Sequence, residues 1–442
     1  MLTSGWGRYP WIDAKPYTFD SDDELRKILE SIGPGGCAIA RGLGRSYGDS
    51  SLSENLLSTR RLNRFISFDE STGELVCESG VSLAEILEVF VPRGWFLPVT
   101  PGTKFVTVGG AIASDVHGKN HHREGSFSNH VIWLDVLLAD GSVVRCSRTQ
   151  NTDLFLATCA GYGLTGIVLR TALRLKKIET AYIRRKVVKA KNLEEALSAF
   201  DEYSGWTYSV AWIDCLSRGA KLGRSVLMAG EHATSEDMKV TRDPLKLKPG
   251  RKLTVPLDFP SFALSTATVR AFNFAYYAKA TNSQNEAFIS YEPYFYPLDG
   301  IHNWNRIYGK RGFVQYQFVI PKEAGREGLT KILQKIAAAG RGSFLAVLKL
   351  FGKEDAPYLS FATEGYTLAL DFAVTPELLK ELEELDAIAK DFGGRIYPTK
   401  DSRMSAAMME SGYPKLDKFR RVRESVDPRR RFSSLQSRRL GI

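Results

Sequence analysis

Hydrophobic and polar positions follow two different patterns along the chain, and the change comes near residue 180. Before it, short helices and strands alternate. Ser21 to Glu24 and Ser82 to Glu85 have the form of capping boxes, in which a serine hydroxyl and a glutamate carboxylate satisfy backbone N–H groups at a helix start. They predict helices over about 22–31 and 82–90, with buried strands at 37–40 and 74–78. Apolar runs on either side of Asp140-Gly141 predict a hairpin over 131–145 with a type I′ turn.

Beyond residue 180 the alternating apolar runs are longer, and amphipathic helices separate them. The pattern predicts strands at 184–190, 208–214, 312–320, 343–351 and 366–374, and helices at 193–203, 323–340 and 376–392. Strands and helices in this order indicate an α+β unit. The stretches 234–260 and 279–286 are polar and show little periodicity, so we expect mobile loops there, and a substrate lid is one role for them.

The composition is that of a globular protein large enough for two domains. The chain has 442 residues, of which 43% are hydrophobic, and a single core seldom grows to that length. No apolar run approaches the roughly 18 residues that a membrane-spanning helix needs. The N-terminus lacks the basic start and apolar stretch of a secretory signal, so we expect a cytoplasmic protein. The five cysteines are widely spaced, without a Cys-x-x-Cys pair, and we expect them to be reduced.

Positive charge gathers at the C-terminal end. The chain has 60 Lys and Arg against 50 Asp and Glu, a formal net charge of +10, and residues 415–442 alone hold ten basic and three acidic residues. Such a run is most often a solvated helix and tail. Two sharper interpretations are contact with nucleic acid and peripheral contact with anionic lipid. No zinc-finger, recognition-helix or aromatic RNA-binding signature accompanies the run, which argues against nucleic acid.

Three glycine-rich segments carry the strongest chemical signal. Residues 40–50 follow a predicted strand, and glycines in such a loop let backbone N–H groups approach a phosphate. The spacing of Gly42, Gly44 and Gly48 differs from the G-x-G-x-x-G of a nicotinamide site, which disfavours that cofactor. Residues 98–119 and 161–167 supply further glycine turns, which allow the backbone to approach a flat ligand closely.

Together these segments resemble the FAD domain of the vanillyl-alcohol-oxidase (VAO/PCMH) type flavoproteins. Within that superfamily the chain is similar, along nearly its whole length, to the decaprenylphosphoryl-β-D-ribose 2-oxidase family; the motifs that carry this likeness lie at 5–8, 40–49, 117–122, 312–321, 349–352 and 400–403. The resemblance implies a two-domain α+β fold, with an FAD-binding domain over 1–178, an α+β substrate-binding cap domain over 179–394, and a return to the FAD domain over 395–442.

The resemblance also implies which residues surround FAD. They are Ala40, Arg41, Gly42, Leu43, Gly44, Arg45, Ser46, Tyr47, Gly48, Asp49, Ser50, Gly102, Thr107, Val108, Gly109, Gly110, Ser114, Asp115, Val116, His117, Ile167 and Tyr397. Many members of the superfamily attach FAD covalently through a histidine in the first loop, and this chain has Arg45 at that position. Because arginine cannot form that bond, we expect non-covalent FAD.

Oxidation of a secondary alcohol needs a hydride acceptor and a group that takes the hydroxyl proton. The resemblance gives the catalytic role to Lys400, with His117 beside it, and it implies substrate contacts for Lys119, Tyr316, Gln315, Gln317, Lys349 and Tyr47. Lys400 acts either as an acid–base group whose pKa is lowered by burial or as a fixed charge that orients the sugar or its phosphate. No metal is expected, because no carboxylate or cysteine at a familiar spacing completes a site with His117, His121 and His122.

The function implied by the resemblance is oxidation of the 2-hydroxyl of a polyprenyl-phosphoryl ribose to the ketone. A short-chain dehydrogenase/reductase partner would complete the epimerisation to the arabinose form. A soluble sugar-1,4-lactone or alditol oxidase with the same flavin fold is the alternative. A nucleic-acid-binding protein is a third reading, and the glycine segments argue against it. With a lipid-linked substrate, we expect the basic C-terminus to make peripheral contact with anionic lipid at the inner membrane surface.

Overall fold

The computed structural model describes residues 1–238, 243–247, 250, 252–281 and 286–442. The strands are β1 (Leu2–Ser4), β2 (Trp11–Asp13), β3 (Lys15–Thr18), β4 (Ala38–Arg41), β5 (Asn55–Ser58), β6 (Phe65–Asp69), β7 (Glu74–Glu78), β8 (Trp95–Phe96), β9 (Val131–Leu137), β10 (Val143–Ser147), β11 (Ile167–Arg174), β12 (Lys176–Lys177), β13 (Tyr182–Ala190), β14 (Tyr208–Ile213), β15 (Ser225–His232), β16 (Leu253–Thr254), β17 (Ala287–Ser290), β18 (Ile301–His302), β19 (Phe313–Pro321), β20 (Ala346–Phe351), β21 (Gly365–Ala373) and β22 (Arg395–Ile396).

Helices fill the intervals between these strands. They are α1 (Asp22–Ile32), α2 (Leu83–Phe90), α3 (Val108–Ala113), α4 (His121–Glu124), α5 (Thr152–Thr158), α6 (Leu193–Glu202), α7 (Ser235–Met238), α8 (Thr266–Lys279), α9 (Tyr291–Phe295), α10 (Lys322–Ala339), α11 (Pro376–Asp391), α12 (Ala406–Gly412), α13 (Leu416–Val426) and α14 (Leu435–Leu440). The mixed α+β architecture is the predicted one.

The first part of the chain is built on a three-stranded and a five-stranded sheet, with two-stranded pairs β1-β2 and β12-β8 beside them. β3, β5 and β4 pair in parallel, and the antiparallel order β10-β9-β11-β7-β6 makes the five-stranded sheet. The capping box predicted at α2 is confirmed, with Ser82 and Glu85 bonded to each other's backbone. At α1 Ser21 caps the helix, but the Glu24 carboxylate accepts from Asp20 N at 3.0 Å rather than from Ser21 N, so that box is incomplete. The polar caps fix where each helix starts, so both helices begin within a residue of the prediction.

The hairpin of β9 and β10 forms as predicted, but its turn is of another type. A type I′ turn needs a positive φ at both central residues, and of the Asp140-Gly141 pair only Gly141 has one, 86°. The Asp140 carboxylate accepts hydrogen bonds from the amide and hydroxyl of Ser142 at 2.9 and 2.7 Å. The loop is therefore longer, and it closes with a hydrogen bond from Leu138 N to Ser142 O at 2.9 Å. The type I′ prediction is wrong.

The second part is built on one antiparallel sheet of eight strands, in the order β17-β13-β15-β14-β20-β21-β19-β22. The predicted strands and helices of this part are confirmed to within about three residues at each end. Apolar residues of α6, α10 and α11 pack on the sheet, against side chains such as Phe318, Leu368 and Leu370. Side chains alternate along a strand, so the opposite side of β19 is left for polar residues.

Two predicted loops fall partly on residues that the structure does not describe. In the stretch 234–260, residues 239–242, 248–249 and 251 lie outside the described residues, and so do 282–285 in the stretch 279–286. The described parts of the first stretch include α7 and β16. The lid role suggested for them stays a prediction.

The end of the chain returns to the three-stranded sheet. Phe432 forms a parallel bridge with Ala38 in β4, and Leu435 N donates to Leu52 O at 2.8 Å. The Phe432 ring is fully buried beside Leu57 and Ile167. The C-terminal segment is thus part of the core under the first glycine loop.

Candidate active site

The glycine loop after β4 is enclosed by two distant segments. A Cβ on Gly42 would lie 2.2 Å from Thr107 Oγ1, and a Cβ on Gly48 would lie 1.8 Å from the carbonyl oxygen of Asp401. No side chain fits in either place. Tyr47 N donates to Thr399 O at 3.2 Å. The loop therefore meets both the second glycine segment and the segment that carries Lys400.

Two arginines of the loop serve its own geometry. The Arg41 guanidinium donates to Ser4 O at 2.6 Å, and Arg45 donates to Leu43 O at 2.7 Å and lies 4.3 Å above the Trp6 ring. Burial lowers the pKa of both arginines, although a guanidinium stays charged in proteins. Both side chains thus keep the loop in shape and leave positive charge inside it.

The other two glycine segments pack together on α3. Thr107 caps this helix by accepting a hydrogen bond from Gly110 N at 3.2 Å, and Gly109 N donates to Ser79 O at 2.8 Å. From the segment 161–167, Tyr162 N donates to Ala113 O at 2.9 Å. The three segments that were predicted separately therefore form one continuous cradle.

Several buried polar atoms along this cradle have no hydrogen-bond partner in the described part of the chain. They are Ser79 Oγ, His117 Nδ1, Thr399 Oγ1 and Ser402 Oγ. An unsatisfied buried donor or acceptor costs about 1–3 kcal/mol, so a bound polar ligand would stabilise these atoms. A backbone cradle with no room for Cβ atoms and with unpaired polar groups at its edge fits a flat, phosphorylated cofactor such as FAD.

The remaining residues that the resemblance assigned to FAD are arranged around the cradle in different ways. The Ser114 carbonyl accepts a hydrogen bond from Tyr397 OH at 2.9 Å. Asp115 has a φ of 40°, and its carboxylate accepts hydrogen bonds from Ser128 N and Ser360 Oγ at 3.0 and 2.9 Å. Burial, and then the nearby charge of Asp355, raise the Asp115 pKa above its ordinary value.

Five further assigned residues contribute backbone or structure. The side chains of Val108, Val116 and Ile167 are buried in the apolar core, so their backbone is the part available to a ligand. A Cβ on Gly102 would meet no atom within 4 Å. Asp49 forms an ion pair with Arg439 at 2.8 Å and so ties the loop to the C-terminal helix.

The polar side of β19 faces the cradle. Gln317 donates to His117 Nε2 at 3.1 Å and to Thr367 Oγ1 at 3.2 Å, and Gln315 donates to the carboxylate of Asp371 at 2.6 Å. Because the amide nitrogen of Gln317 is a donor, His117 Nε2 accepts this hydrogen bond and the imidazole proton lies on Nδ1. Burial first, and then the nearby charge of Lys349, hold the pKa of His117 well below its ordinary value. His117 is therefore a neutral group with one free donor.

Tyr316 does not join this set. It lies between Gln315 and Gln317 on β19, so its side chain is on the opposite side of the sheet. It is buried against α10 and α11, and the Arg403 guanidinium lies 5.5 Å from its ring centroid. The prediction that Tyr316 contacts substrate is corrected on this ground.

Three lysines converge beside the cradle. Burial lowers the pKa of Lys119 to about 7, that of Lys349 to about 8 and that of Lys400 to about 7, and repulsion from Lys349 contributes to the first and the third. Lys400 Nζ lies 3.9 Å above the ring centroid of Tyr47. Lys119 Nζ donates to Phe295 O at 3.2 Å. Three amines that share a partly dry space gain from an anion that enters it.

Asp371 is a member of the site that the sequence did not predict. It lies directly across from Gln315 in the β19–β21 pair, and it also accepts a hydrogen bond from Tyr308 OH at 3.3 Å. Burial raises its pKa to about 7, and Lys400 counteracts this rise. An acid in the middle of an apolar strand was the available signal, but its partner could not be known before the strand pairing.

His121 supports the site from behind. Its Nε2 lies 2.8 Å from Asp355 Oδ2, and the same carboxylate accepts hydrogen bonds from Ser126 N at 3.0 Å and Asn129 Nδ2 at 2.6 Å. These bonds fix the segment that carries His117 and Lys119 against the end of β20. Within the described ranges, no group of three or more His, Cys, Asp or Glu side chains is arranged to hold a metal ion.

Comparison with known proteins agrees with this chemistry. The family model of the FAD binding domain matches residues 17–147, which include the first two glycine segments. The model of D-arabinono-1,4-lactone oxidase matches residues 310–440, which include β19, Lys349, Asp371 and Lys400. Two of the three cradle segments and all three lysines therefore lie in the parts of the chain that match flavoenzyme families, and the protein is an FAD-dependent oxidoreductase.

Two full-length relatives narrow the family. Decaprenylphosphoryl-beta-D-ribose oxidase of Mycolicibacterium smegmatis is 39% identical over 99% of this chain and 97% of its own length. L-gulono-1,4-lactone dehydrogenase of Mycobacterium tuberculosis is 22% identical over 95% of this chain and 94% of its own length. Shorter likenesses, such as that to the mitochondrial D-2-hydroxyglutarate dehydrogenase of Rattus norvegicus (31% over 29% of this chain and 26% of that protein), cover only part of the chain. The chain belongs to the decaprenylphosphoryl-β-D-ribose oxidase family of VAO/PCMH-type flavoproteins.

Proposed function

We propose that this protein oxidises the 2-hydroxyl of a polyprenyl-phosphoryl β-D-ribose to the 2-keto sugar, the first half of an epimerisation to the arabinose form. The observation that carries this proposal is the cluster of Lys119, Lys349 and Lys400 at the edge of the FAD cradle. A phosphate-linked sugar would neutralise the repulsion among the three amines while its ring carbons lie beside the flavin site. Full-length similarity to an oxidase named for such a substrate supports the same reading.

FAD would be held by the backbone of residues 40–50, 107–110 and 114–117, and it supplies the hydride acceptor when bound. The chain's own residues then handle the proton. With a pKa of about 7, a substantial fraction of Lys400 is neutral near neutral pH. The neutral amine accepts the proton of the 2-hydroxyl as the C2–H bond breaks, and the Asp371 carboxylate stabilises the ammonium that forms. Loss of one hydride from C2 and one proton from the 2-hydroxyl converts the alcohol to the ketone, so the step is balanced.

The remaining polar residues would orient the sugar. Lys119 and Lys349 place positive charge where the phosphate enters. The free Nδ1–H of His117 and the amides of Gln315 and Gln317 offer fixed hydrogen-bonding groups on the polar side of β19. Because His117 is neutral, it adds a donor to the site without adding to the cationic charge.

A soluble lactone or alditol oxidase is the second candidate, and the D-arabinono-1,4-lactone oxidase match over 310–440 favours it. Such an enzyme has no need for three lysines around its substrate. The distinguishing feature is therefore the response to a phosphate-linked lipid sugar rather than to a free lactone.

Anaerobic bleaching of the flavin tests the proposal. Polyprenyl-phosphoryl ribose should reduce the purified holoenzyme, whereas free alditols and 1,4-lactones should not. Lys400→Ala should abolish the bleaching with FAD content unchanged, and Lys322→Ala, which removes an exposed lysine paired with Asp201, serves as the control. Bleaching by the lactone alone would favour the second candidate, and wild-type rates in Lys400→Ala would remove Lys400 from the mechanism.

We also propose a short-chain dehydrogenase/reductase partner for the second half-reaction and peripheral contact with an anionic membrane. No helix in the described part of the chain is long and apolar enough to cross a bilayer. The basic C-terminal run has little charge to spare for lipid, because six of its ten basic residues bond within the protein; they are Lys415, Arg420, Arg423, Arg431, Arg438 and Arg439. The side chains of Lys418, Arg421, Arg429 and Arg430 make no hydrogen bond or ion pair within the described residues.

A further inference from the structure

The cap region exposes an unusual amount of apolar surface in one stretch of chain. Half of the large hydrophobic side chains that the described residues expose lie between Leu253 and Tyr276. We call this set the apolar face; its members are Leu253, Leu257, Phe259, Phe272, Phe274 and Tyr276. Leu257 is 74% exposed and Phe274 65% exposed. Single exposed apolar residues are common on soluble proteins, whereas a concentration of them marks a contact surface.

Both halves of the apolar face border the same short helix, Trp304–Tyr308. On one side, Phe259 N donates to Arg306 O at 2.9 Å. On the other side, the Phe272 ring packs on Phe344 with centroids 5.8 Å apart, and Phe344 stacks on Tyr308 at 5.7 Å. Phe259 and Phe272, from the two ends of the segment, are therefore held beside the same helix.

Exposed cationic side chains are frequent in the segments that carry the apolar face and the Trp304–Tyr308 helix. Lys252, Arg270, Lys279, Lys310 and Arg311 are all exposed. Within the described residues 252–281 and 301–311, Asp258 is the one acidic residue, and Arg8 neutralises it in an ion pair. The region therefore combines exposed aromatic and aliphatic groups with uncompensated positive charge. That combination suits the boundary between anionic headgroups and acyl chains, where aromatic rings and basic side chains both gain.

A row of packed aromatic rings joins the apolar face to the active site. From Phe344 and Tyr308 the row continues to Phe313, 4.2 Å from Tyr308, and to Tyr47, which meets Phe313 edge to face at 5.4 Å. Tyr47 is the ring beneath Lys400. Tyr308 and Phe313 are buried, so the row is a rigid support that holds the apolar face at a fixed place relative to the catalytic lysine.

We propose that the apolar face docks on the headgroup region of an anionic bilayer. The inference deepens the proposed function and rests on it, because it presumes a lipid-linked substrate. The exposed Lys and Arg side chains of this region contact lipid phosphates, and the side chains of Leu257, Phe259 and Phe274 enter the interface. The C-terminal run is not needed for this contact.

Vesicle co-sedimentation of the FAD-loaded full-length protein tests the inference. Vesicles of phosphatidylcholine mixed with phosphatidylglycerol should bind the wild type, and phosphatidylcholine alone should bind it less. The double variant Leu257→Ser/Phe274→Ser should bind the anionic vesicles at least about tenfold more weakly than the wild type, since two interfacial side chains are removed. Leu2→Ser/Ile66→Ser is the matched control, because it removes two exposed apolar side chains of similar exposure (67% and 51%) from elsewhere on the surface.

A third variant separates the two surfaces. Replacement of Lys418, Arg421, Arg429 and Arg430 by Gln should leave vesicle binding within about twofold of wild type if the apolar face carries it. Loss of binding in this variant but not in Leu257→Ser/Phe274→Ser would show that the C-terminus carries membrane binding, and it would overturn the inference. An absence of vesicle binding by the wild type would also overturn it and leave the face for a protein such as the reductase.

A soluble readout keeps this test apart from that of the proposed function. Flavin bleaching by a detergent-dispersed polyprenyl-phosphoryl ribose should be equal in wild type and in Leu257→Ser/Phe274→Ser, because neither side chain belongs to the catalytic site. If the wild type is not bleached, the proposed function fails whatever the vesicles show. If it is bleached and vesicle binding is unchanged in the variant, only the docking surface fails.

Discussion

Lys400 lies between charges of opposite sign, and this position decides what the amine can do. Burial and Lys349 lower its pKa, whereas Asp371 raises it, and the result is about 7. A lysine at its ordinary pKa would be charged and unable to accept a proton at neutral pH. Without Asp371 the Lys400 pKa would be lower still, so the amine would be a weaker base at neutral pH. The two neighbours together bring the amine into the range where it can both accept and release a proton.

Replacement of Asp371 and replacement of Lys349 should shift the pH dependence of flavin reduction in opposite directions. If neutral Lys400 is the base, the second-order rate constant rises with pH through about 7. Asp371→Asn removes the charge that favours the ammonium, so the inflection should move down by about one pH unit. Lys349→Met removes a repulsive cation, so the inflection should move up by a similar amount.

Anaerobic stopped-flow over a pH series makes the measurement. If the inflection moves in the same direction in both variants, or moves in neither, the assignment of Lys400 as the base is wrong. A rate that falls as pH rises through about 7 would instead make Lys400 a fixed charge, since the ammonium would then be the active form. The Asn variant preserves the shape of Asp371 and keeps one oxygen to accept from Gln315, while its new amide can donate to Tyr308 OH, which limits structural side effects.

Arg45 makes a second prediction at this scale. Its guanidinium donates to Leu43 O and stacks on Trp6, in the loop position where many superfamily members carry the tethering histidine. FAD should therefore be non-covalent. Acid precipitation should leave the flavin in the supernatant and a colourless pellet, and flavin absorbance retained in the pellet after repeated washing would contradict this expectation.

At the level of elements, local signals predicted what is decided locally. The serine caps of α1 and α2 and the Thr375-Pro376 start of α11 satisfy backbone groups within one helical turn, so the sequence alone locates those helix starts. The predicted type I′ turn does not form, because the carboxylate of Asp140 accepts a hydrogen bond from the amide of Ser142. β15 and α8 were not predicted, and the buried polar Asn273 of α8 obscures its pattern because its partner, Asp214, is distant in sequence.

The contact between the first glycine loop and the Lys400 segment predicts the effect of a single methyl group. Gly48→Ala places a Cβ within 1.8 Å of the backbone oxygen of Asp401, which no side-chain rotation can relieve. The two segments must separate, at a cost of about 1–3 kcal/mol, and FAD affinity should fall with them. Gly35→Ala is the control, because its Cβ meets nothing within 4 Å. Thermal unfolding and bound flavin per protein give the two readouts, and wild-type values for both in Gly48→Ala would contradict the contact.

At the level of the whole molecule, the basic C-terminus serves mainly to close the fold. Arg423 donates to the carbonyl of Phe432, Arg431 donates to that of Ala139, and Arg439 pairs with Asp49 and Asp401. These contacts join residues up to about 390 positions apart, and the sequence shows only a charge run because each partner lies in another element. A chain that first suggested a binding tail by its charge thus uses most of that charge internally.

Adjacent arginines provide the sharpest test of this internal role. Arg439 bridges Asp49 of the glycine loop and Asp401 beside Lys400, and both carboxylates are buried. Arg439→Gln leaves two buried acids without a cation, and removal of one partner of a buried pair costs up to about 3–5 kcal/mol. Arg438 pairs with the exposed Glu54, and surface pairs contribute about 1 kcal/mol or less. Arg439→Gln should therefore lower the unfolding temperature and the FAD content, whereas Arg438→Gln, with the same change in net charge, should alter neither by much. Equal behaviour of the two variants in calorimetry and flavin titration would mean that the C-terminal helix does not support the cofactor loop.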